Sequence, residues 1–426
     1  MPLPLTGFRS TPIRMGRLRP LRLPDVGLGA LTRWCPPELV DRAIRKHSRQ
    51  ERRRRLLPAR TVVYFELARC LFPQEGYASV YEHLLPREEE LDLYLTRRGF
   101  RVPNKSSLCK ARRRLGPDVM EEVFRQVAGP VANEEDCPTA FWRGLRLETF
   151  DGTVLDVADT PENTAEFTRP AGGAGTGGYP QARVVALAEC GTHALIDAAI
   201  GGRRQGETTL AMALAASAGP GTLVLADRNM PGVPLWTAFR RTGAHLLWRL
   251  KGPTAQRVEK VLPDGSYLTH MHLDKNLRAA YRRRGEEPPG PVPLRVIEYT
   301  IEGSDEIYRL ATSLLDPQEA PAHELAALYS QRWESEGIFA EVKTAQRGSR
   351  SVLLSNRPDQ VRQEIWAHLI VHHLTRDLMH HAATATTPPL DPDRISFRTA
   401  QRLVRRDLSP LLSPPVTSAD VSNRPL

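Results

Sequence analysis

Tyr329, Arg332, Glu336 and Lys343 recur at spacings of three, four and seven residues within the segment ELAALYSQRWESEGIFAEVKT. A period of about 3.6 residues returns such positions to one stripe of an α-helix. The spacing therefore predicts one helical face carrying a carboxylate, two cations and a phenol. Leu325 and Phe339 fall on the same stripe, which sets these charges among core-facing residues, while Glu334 and Glu341 point elsewhere. A carboxylate there can hold a hard cation and the basic groups can grip an anion. A helix laced with ordinary ion pairs has the same spacing, because Arg332 and Glu336 stand four apart.

Two aspartates upstream favour the chemical reading. Asp151 lies in Phe150-Asp151-Gly152-Thr153, after the alternating run LRLET, and is expected near the end or bend of a strand. Asp227 closes TLVLAD, a continuous apolar run of the kind buried on both faces of a sheet. Ligands of open α/β sheets collect outside the carboxyl ends of such strands.

With these residues in order the chain resembles the DDE transposases of bacterial insertion sequences, specifically the IS4-like group. The resemblance rests on Asp151 in DGT, Asp227 in LADRN and the pattern Y-x2-R-x3-E-x6-K, and it spans roughly residues 30 to 405. It implies that Asp151 bridges two divalent ions while Asp227 and Glu336 hold one each. Arg332 and Lys343 would grip the DNA phosphates flanking the scissile bond, with Tyr329 donating its hydroxyl to phosphate. Cutting a phosphodiester with water, then attacking another with the freed 3′-hydroxyl, needs an activated nucleophile and a stabilised leaving oxygen, which two ions about 4 Å apart supply. Three carboxylates without neighbouring Cys or His suit Mg²⁺, with Mn²⁺ as a substitute.

The resemblance implies an α/β fold: an RNase H-like catalytic core interrupted by a β-rich insertion and preceded by an α-helical DNA-binding domain. RVVALAEC and ALIDAAIG read as strands joined at Gly191-Thr192-His193, ETTLAMALAASA as a short helix, and the Asp227 strand follows. Three antiparallel strands, a helix and a parallel strand result. Between about 252 and 315, strand-like runs separated by Pro263-Asp264-Gly265 and Gly303-Ser304-Asp305 predict the insertion, or alternatively an elaborated sheet edge. Some relatives use a tryptophan there to hold a flipped base during hairpin formation. This insertion has none, which argues against hairpin-type excision; Trp248 and Trp333 are expected to pack in the core.

A formal charge of +10 and a pI near 9.6 point to a polyanionic partner. Arginine runs at 52–55, 112–114 and 282–284 carry much of it. Residues 105–128 read as two helices broken at Gly116-Pro117, with Ser106 or Ser107 as cap, and 61–84 as two more around a Pro-Gln-Glu-Gly turn. The expected organisation is a flexible 1–30, a helical DNA-binding domain at 31–140, a catalytic domain at 141–405 containing the 252–315 insertion, and a flexible tail at 406–426. The helical domain is expected to read the element's terminal inverted repeats through Lys110, Arg112 and Arg113; a dimerisation or packing role is the alternative.

Five scattered cysteines without a CxxC pair indicate a reducing compartment and no structural zinc. No apolar stretch is long enough for a bilayer and no signal-peptide core opens the chain, so a cytoplasmic, nucleoid-associated protein without a membrane partner is expected. His373, Asp377 and His380 or His381 share a helical face that suits either a metal site or, more simply, a packed helix. AGGAGTGG at 171–178 lacks the phosphate-binding pattern and reads as a loop near the catalytic face. The functional expectation is a transposase acting as a homodimer on paired double-stranded element ends. A DNA-binding derivative that no longer cuts, or a nuclease of the same fold without strand transfer, are the alternatives.

Overall fold

The computed structural model describes residues 32, 35–53, 55, 57–84, 103–170, 178–252, 257–301, 306–346, 352–386 and 390–408; the side chains of 333–336, 344–346, 393, 407 and 408 lie outside the description. The expectations for residues 1–30, for the glycine-rich 171–177, for the turn at 303–305 and for the tail beyond 408 therefore fall outside it.

Helices α1 (Pro37–Lys46), α2 (Ala59–Leu71), α3 (Tyr77–Glu82), α4 (Lys105–Leu115) and α5 (Pro117–Val127) come first. Pro at the first helical position, which has no intrahelical partner for its missing N–H, starts α1 and α5. Gly116 separates α4 from α5 at φ 78°, a conformation that favours glycine. The cap of α4 is Asn104, whose side chain accepts from the Ser107 N–H at 2.8 Å, rather than Ser106 or Ser107 itself.

The sheet follows: β1 (Phe141–Trp142), β2 (Leu145–Val157), α6 (Pro161–Phe167), β3 (Gln181–Glu189), β4 (Leu195–Gly202), α7 (Glu207–Leu214), β5 (Thr222–Ala226), α8 (Val233–Arg241) and β6 (His245–Arg249). Next come β7 (Lys260–Val261), β8 (Tyr267–Met271), α9 (Lys275–Arg283), β9 (Val292–Thr300), β10 (Ile307–Thr312), α10 (Ala322–Leu328), α11 (Glu334–Ala340), β11 (Val352–Leu353), α12 (Pro358–Thr384) and α13 (Phe397–Leu408). The strand order is β4-β3-β2-β5-β6-β10-β9-β8-β7, with β1 and β11 also on β2. β2, β3 and β4 are antiparallel and β5 runs parallel to β2, the order expected of the core.

The strands of 252–315 join the same sheet, because β10 pairs antiparallel with β6. The β-rich segment thus elaborates the sheet edge, and it includes a helix, α9, with the Arg282 and Arg283 pair in its last turn. Alternation along the strands sends Phe150, Val185, Leu187, Val224 and Trp248 to one face, against α7 and α8, where Trp236 and Trp248 meet edge-to-face at 5.1 Å. The other face takes Leu147, Leu223 and Leu225 with Leu325 and Tyr329.

The amino-terminal helices do not stand apart. Val62, Phe65 and Leu67 of α2 and Val119 and Phe124 of α5 share one core with Ile365, Trp366 and Ile370 of α12 and with Leu155 and Val184 of the sheet.

Candidate active site

β2 and β5 run parallel, registered at Leu147↔Leu223 and Thr149↔Leu225, and their pairing stops there. Asp151 and Asp227 each lie two residues beyond the last registered pair, on the pleat face of Leu147 and Leu225. Adjacent strands stand about 4.8 Å apart. The two aspartates therefore occupy neighbouring positions where the sheet opens. β2 does not end at Asp151, as its sequence suggested, but continues to Val157, paired with β3 on one edge. On the other edge its parallel partners are β5 up to Thr149 and β11 at Asp156 and Val157. Between them Asp151 lies on a stretch of strand with no parallel neighbour among the described residues. The Gly152 N–H donates to Asp151 Oδ1 at 2.7 Å.

The segment expected to be one α-helix changes winding three times: α10 ends at Leu328, residues Tyr329–Trp333 form a 3₁₀ turn, α11 covers Glu334–Ala340, and Glu341–Gln346 wind as a π-helix. Tight and wide turns rotate successive side chains by other than 100°, so the four motif residues do not keep an ideal stripe. Tyr329 is buried and its hydroxyl donates to the Ala226 carbonyl at 3.1 Å, immediately before Asp227. The hydroxyl expected to serve phosphate is engaged with backbone. Arg332 is buried as well, and Lys343, on the π-helical turn, is half-buried. α11, whose backbone carries Glu336, packs against β2.

A polar cluster behind α11 had no signal in the sequence. Glu341 accepts from His372 Nε2 at 2.8 Å and from Arg376 Nε at 3.0 Å and Nη2, and Arg376 Nη2 also meets His193 Nδ1 at 2.6 Å. Burial alone would raise the Glu341 carboxyl, but the His372 and Arg376 hydrogen bonds and charges outweigh it and hold it below its ordinary value. Burial and the Arg376 charge push His193 down to about 3, so it stays neutral. His193 also touches α11, since its Cε1 lies 3.4 Å from where a Cβ of Gly337 would stand. Of these α12 residues, His372 holds Glu341 and His373 is buried, while His381 is exposed and pairs with Asp377 at 3.1 Å.

Glu207, the first residue of α7, is a fourth carboxylate at the site. It is half-buried, and burial with the Asp151 and Asp227 charges raises its carboxyl, against the pull of Arg183 and the Gly152 N–H. A glutamate in a first helical turn reads in sequence as a partner of the helix dipole, which hides its other neighbours.

Comparison with known proteins gives two family matches, "Insertion element 4 transposase N-terminal" over residues 25–125 and "Transposase DDE domain" over residues 146–374. The second covers more than half of the chain. The chain belongs to the IS4 family of DDE transposases. It is 30% identical over 401 residues to the transposase InsG for insertion sequence element IS4 of Escherichia coli K12, covering 93% of this chain and 86% of that protein. A putative transposase InsZ of the same organism is 30% identical over 157 residues, 36% of this chain and 51% of the relative. A cryo-EM structure of a piggyBac transposase synaptic complex with hairpin DNA aligns with TM-score 0.48 and 12% identity over 92% of this chain and 83% of that one.

Membership makes the protein a DNA transposase and implies a divalent metal. The donor chemistry of this IS4-family transposase fits a hard cation: Asp151 and Asp227 sit side by side, and their charges reinforce the rise of the Glu207 carboxyl, a local excess of negative charge that a cation relieves. Among the described residues no three His, Cys, Asp or Glu side chains converge closely enough to chelate one ion; the Glu336 side chain lies outside the description.

The amino-terminal expectation needs one correction. Lys110 and Arg113 are exposed, but Arg112 is 1% exposed. Its guanidinium pairs with Glu66 and donates to Tyr77 Oη at 2.6 Å, Ser355 Oγ at 3.0 Å and the Gln360 carbonyl at 3.3 Å. Arg112 therefore ties α4 to α2 and α12 instead of facing DNA. In an arginine run the polar face and the buried one are indistinguishable without the packing partner. Among the described residues no helix is long and apolar enough to cross a membrane.

Proposed function

We propose that this IS4-family transposase cuts DNA at the ends of its element and joins them to a target using Mg²⁺ held by Asp151, Asp227 and Glu336. The observation that carries this reading is the parallel register that sets Asp151 beside Asp227 at the opening of the sheet, with α11 packed on β2. Two bound ions would activate the attacking water or 3′-hydroxyl and stabilise the leaving oxygen.

The chain's own groups do the rest. Asp151 and Asp227 fix the negative charge at two adjacent points of a rigid sheet, and Glu336 closes the set from α11. Tyr329, hydrogen-bonded to Ala226, anchors the turn before α11 to the Asp227 strand. Arg332 adds positive charge beneath the site and Lys343 meets a flanking phosphate. Lys110 and Arg113, exposed on α4, contact the terminal repeats. A homodimer on two paired element ends in the bacterial cytoplasm completes the reading.

The test uses purified protein, Mg²⁺ and DNA carrying the sequences that flank the transposase gene. Cleavage at the repeat boundary, lost in Asp151→Ala and Glu336→Gln, is the expected result. Specific binding without cleavage in Mg²⁺ or Mn²⁺ would replace it with a DNA-binding derivative that no longer cuts.

A further inference from the structure

We propose that Glu207 is a working member of the metal centre, holding a divalent ion through a bound water from the face of the sheet opposite Asp151. This inference deepens the reading given under Proposed function and rests on it. Asp151 projects to the Leu147 face, whereas α7, which carries Glu207, packs on the Phe150 face through Leu210, Ala211 and Leu214. A carboxylate on that side is normally screened from Asp151 by the intervening residue of the strand. Here that residue is Gly152, and a Cβ at this position would overlap the Glu207 carboxylate.

Gly152 has no positive φ that would call for glycine, and the space a side chain would fill there is taken by the Glu207 carboxylate. The missing Cβ lets Glu207 lie along the strand next to Asp151, within electrostatic reach of Asp227 too. No salt bridge to Glu207 forms within 4.0 Å among the described residues; only the more distant charge of Arg183 and the Gly152 N–H offset the two aspartates. A half-buried carboxylate set against two others, with no paired cation, is an unfavourable arrangement for the protein alone and a favourable one around a divalent ion. Because no three described side chains converge for direct chelation, Glu207 acts at one remove, accepting from a metal-bound water, as outer ligands of metal centres do.

Mn²⁺ alone, titrated calorimetrically into metal-free protein, is the probe, with the Mn²⁺ and Mg²⁺ concentrations for half-maximal cleavage as the second readout. Glu207→Gln keeps the size and removes the charge; the expected result is about 10–100-fold weaker Mn²⁺ binding and a matching rise in the metal needed. Gly152→Ala displaces the carboxylate and keeps its charge, so it should weaken Mn²⁺ binding too, and combining it with Glu207→Gln should add little. Wild-type Mn²⁺ affinity and metal dependence in folded Glu207→Gln would overturn the inference, whatever Gly152→Ala does. Asp151→Asn separates the two readings: if it abolishes binding and cleavage while Glu207→Gln changes neither, only the Glu207 inference fails. If Asp151→Asn leaves both intact, the site itself is elsewhere.

Discussion

The Tyr329 hydroxyl donates to the Ala226 carbonyl, so the turn preceding α11 is fastened to the last residue of β5, one position before Asp227. Both ends of this bond are buried. Tyr329→Phe leaves that carbonyl without its side-chain partner, at about 1 kcal/mol of stability. Cleavage should slow several-fold with DNA affinity unchanged. Loss of DNA affinity with unchanged cleavage would show instead that the hydroxyl reaches phosphate.

Glu336→Gln removes a charge proposed to hold metal while leaving the basic surfaces intact. Cleavage should fall by more than the roughly 10–100-fold typical of outer metal-site partners, and DNA binding by gel shift should be retained. Normal cutting by this variant would remove Glu336 from the centre.

Glu341, on the turn that follows α11, is tied to Arg376 of α12. Replacing Glu341 with Gln leaves Arg376 buried without its carboxylate, and breaking such a pair costs about 3 kcal/mol or more. A lowered Tm with reduced cleavage is the expected outcome. An unchanged Tm would show that the pair contributes little to holding α11.

On α4 the neighbouring cations should behave oppositely. Lys110→Ala and Arg113→Ala should each lower the slope of log affinity against log salt by about 1 and change stability by less than about 0.5 kcal/mol. Arg112→Ala leaves Glu66, which is 0% exposed, with Arg69 as its remaining partner and removes the bonds to Tyr77, Ser355 and the Gln360 carbonyl, so it should cost about 2 kcal/mol or more. Salt-dependent binding and thermal melts of the three variants check the division.

Burial pushes the Glu148 carboxyl on β2 up to about 8, with Glu189 adding to the rise and Arg146 opposing it. Between its ordinary 4.5 and this value the unfolded chain releases a proton that the folded protein keeps. The stability contribution is thus present below 4.5 and is lost as pH rises toward 8. Glu148→Gln should melt progressively higher than wild type across that window, by on the order of a few kcal/mol at its upper end. A pH-independent difference in Tm would show that Glu148 does not titrate there.

The sequence by itself determined the family, the strand and helix order of the core and the three acidic candidates, because these depend on local pattern: an apolar run stopping at Asp227, an alternating run leading to Asp151, and motif spacings around Glu336. Only the tertiary structure decided which charges are buried. Arg112 and Arg113 are adjacent in one arginine run, yet one is paired in the core and the other faces solvent, since that depends on where α2 and α12 pack. Likewise Glu207 comes to Asp151 from the opposite side of the sheet through the space at Gly152, and Glu341 meets Arg376 thirty-five residues away. Contacts made across a sheet or between distant helices leave no period in the chain, so folding alone assembles them.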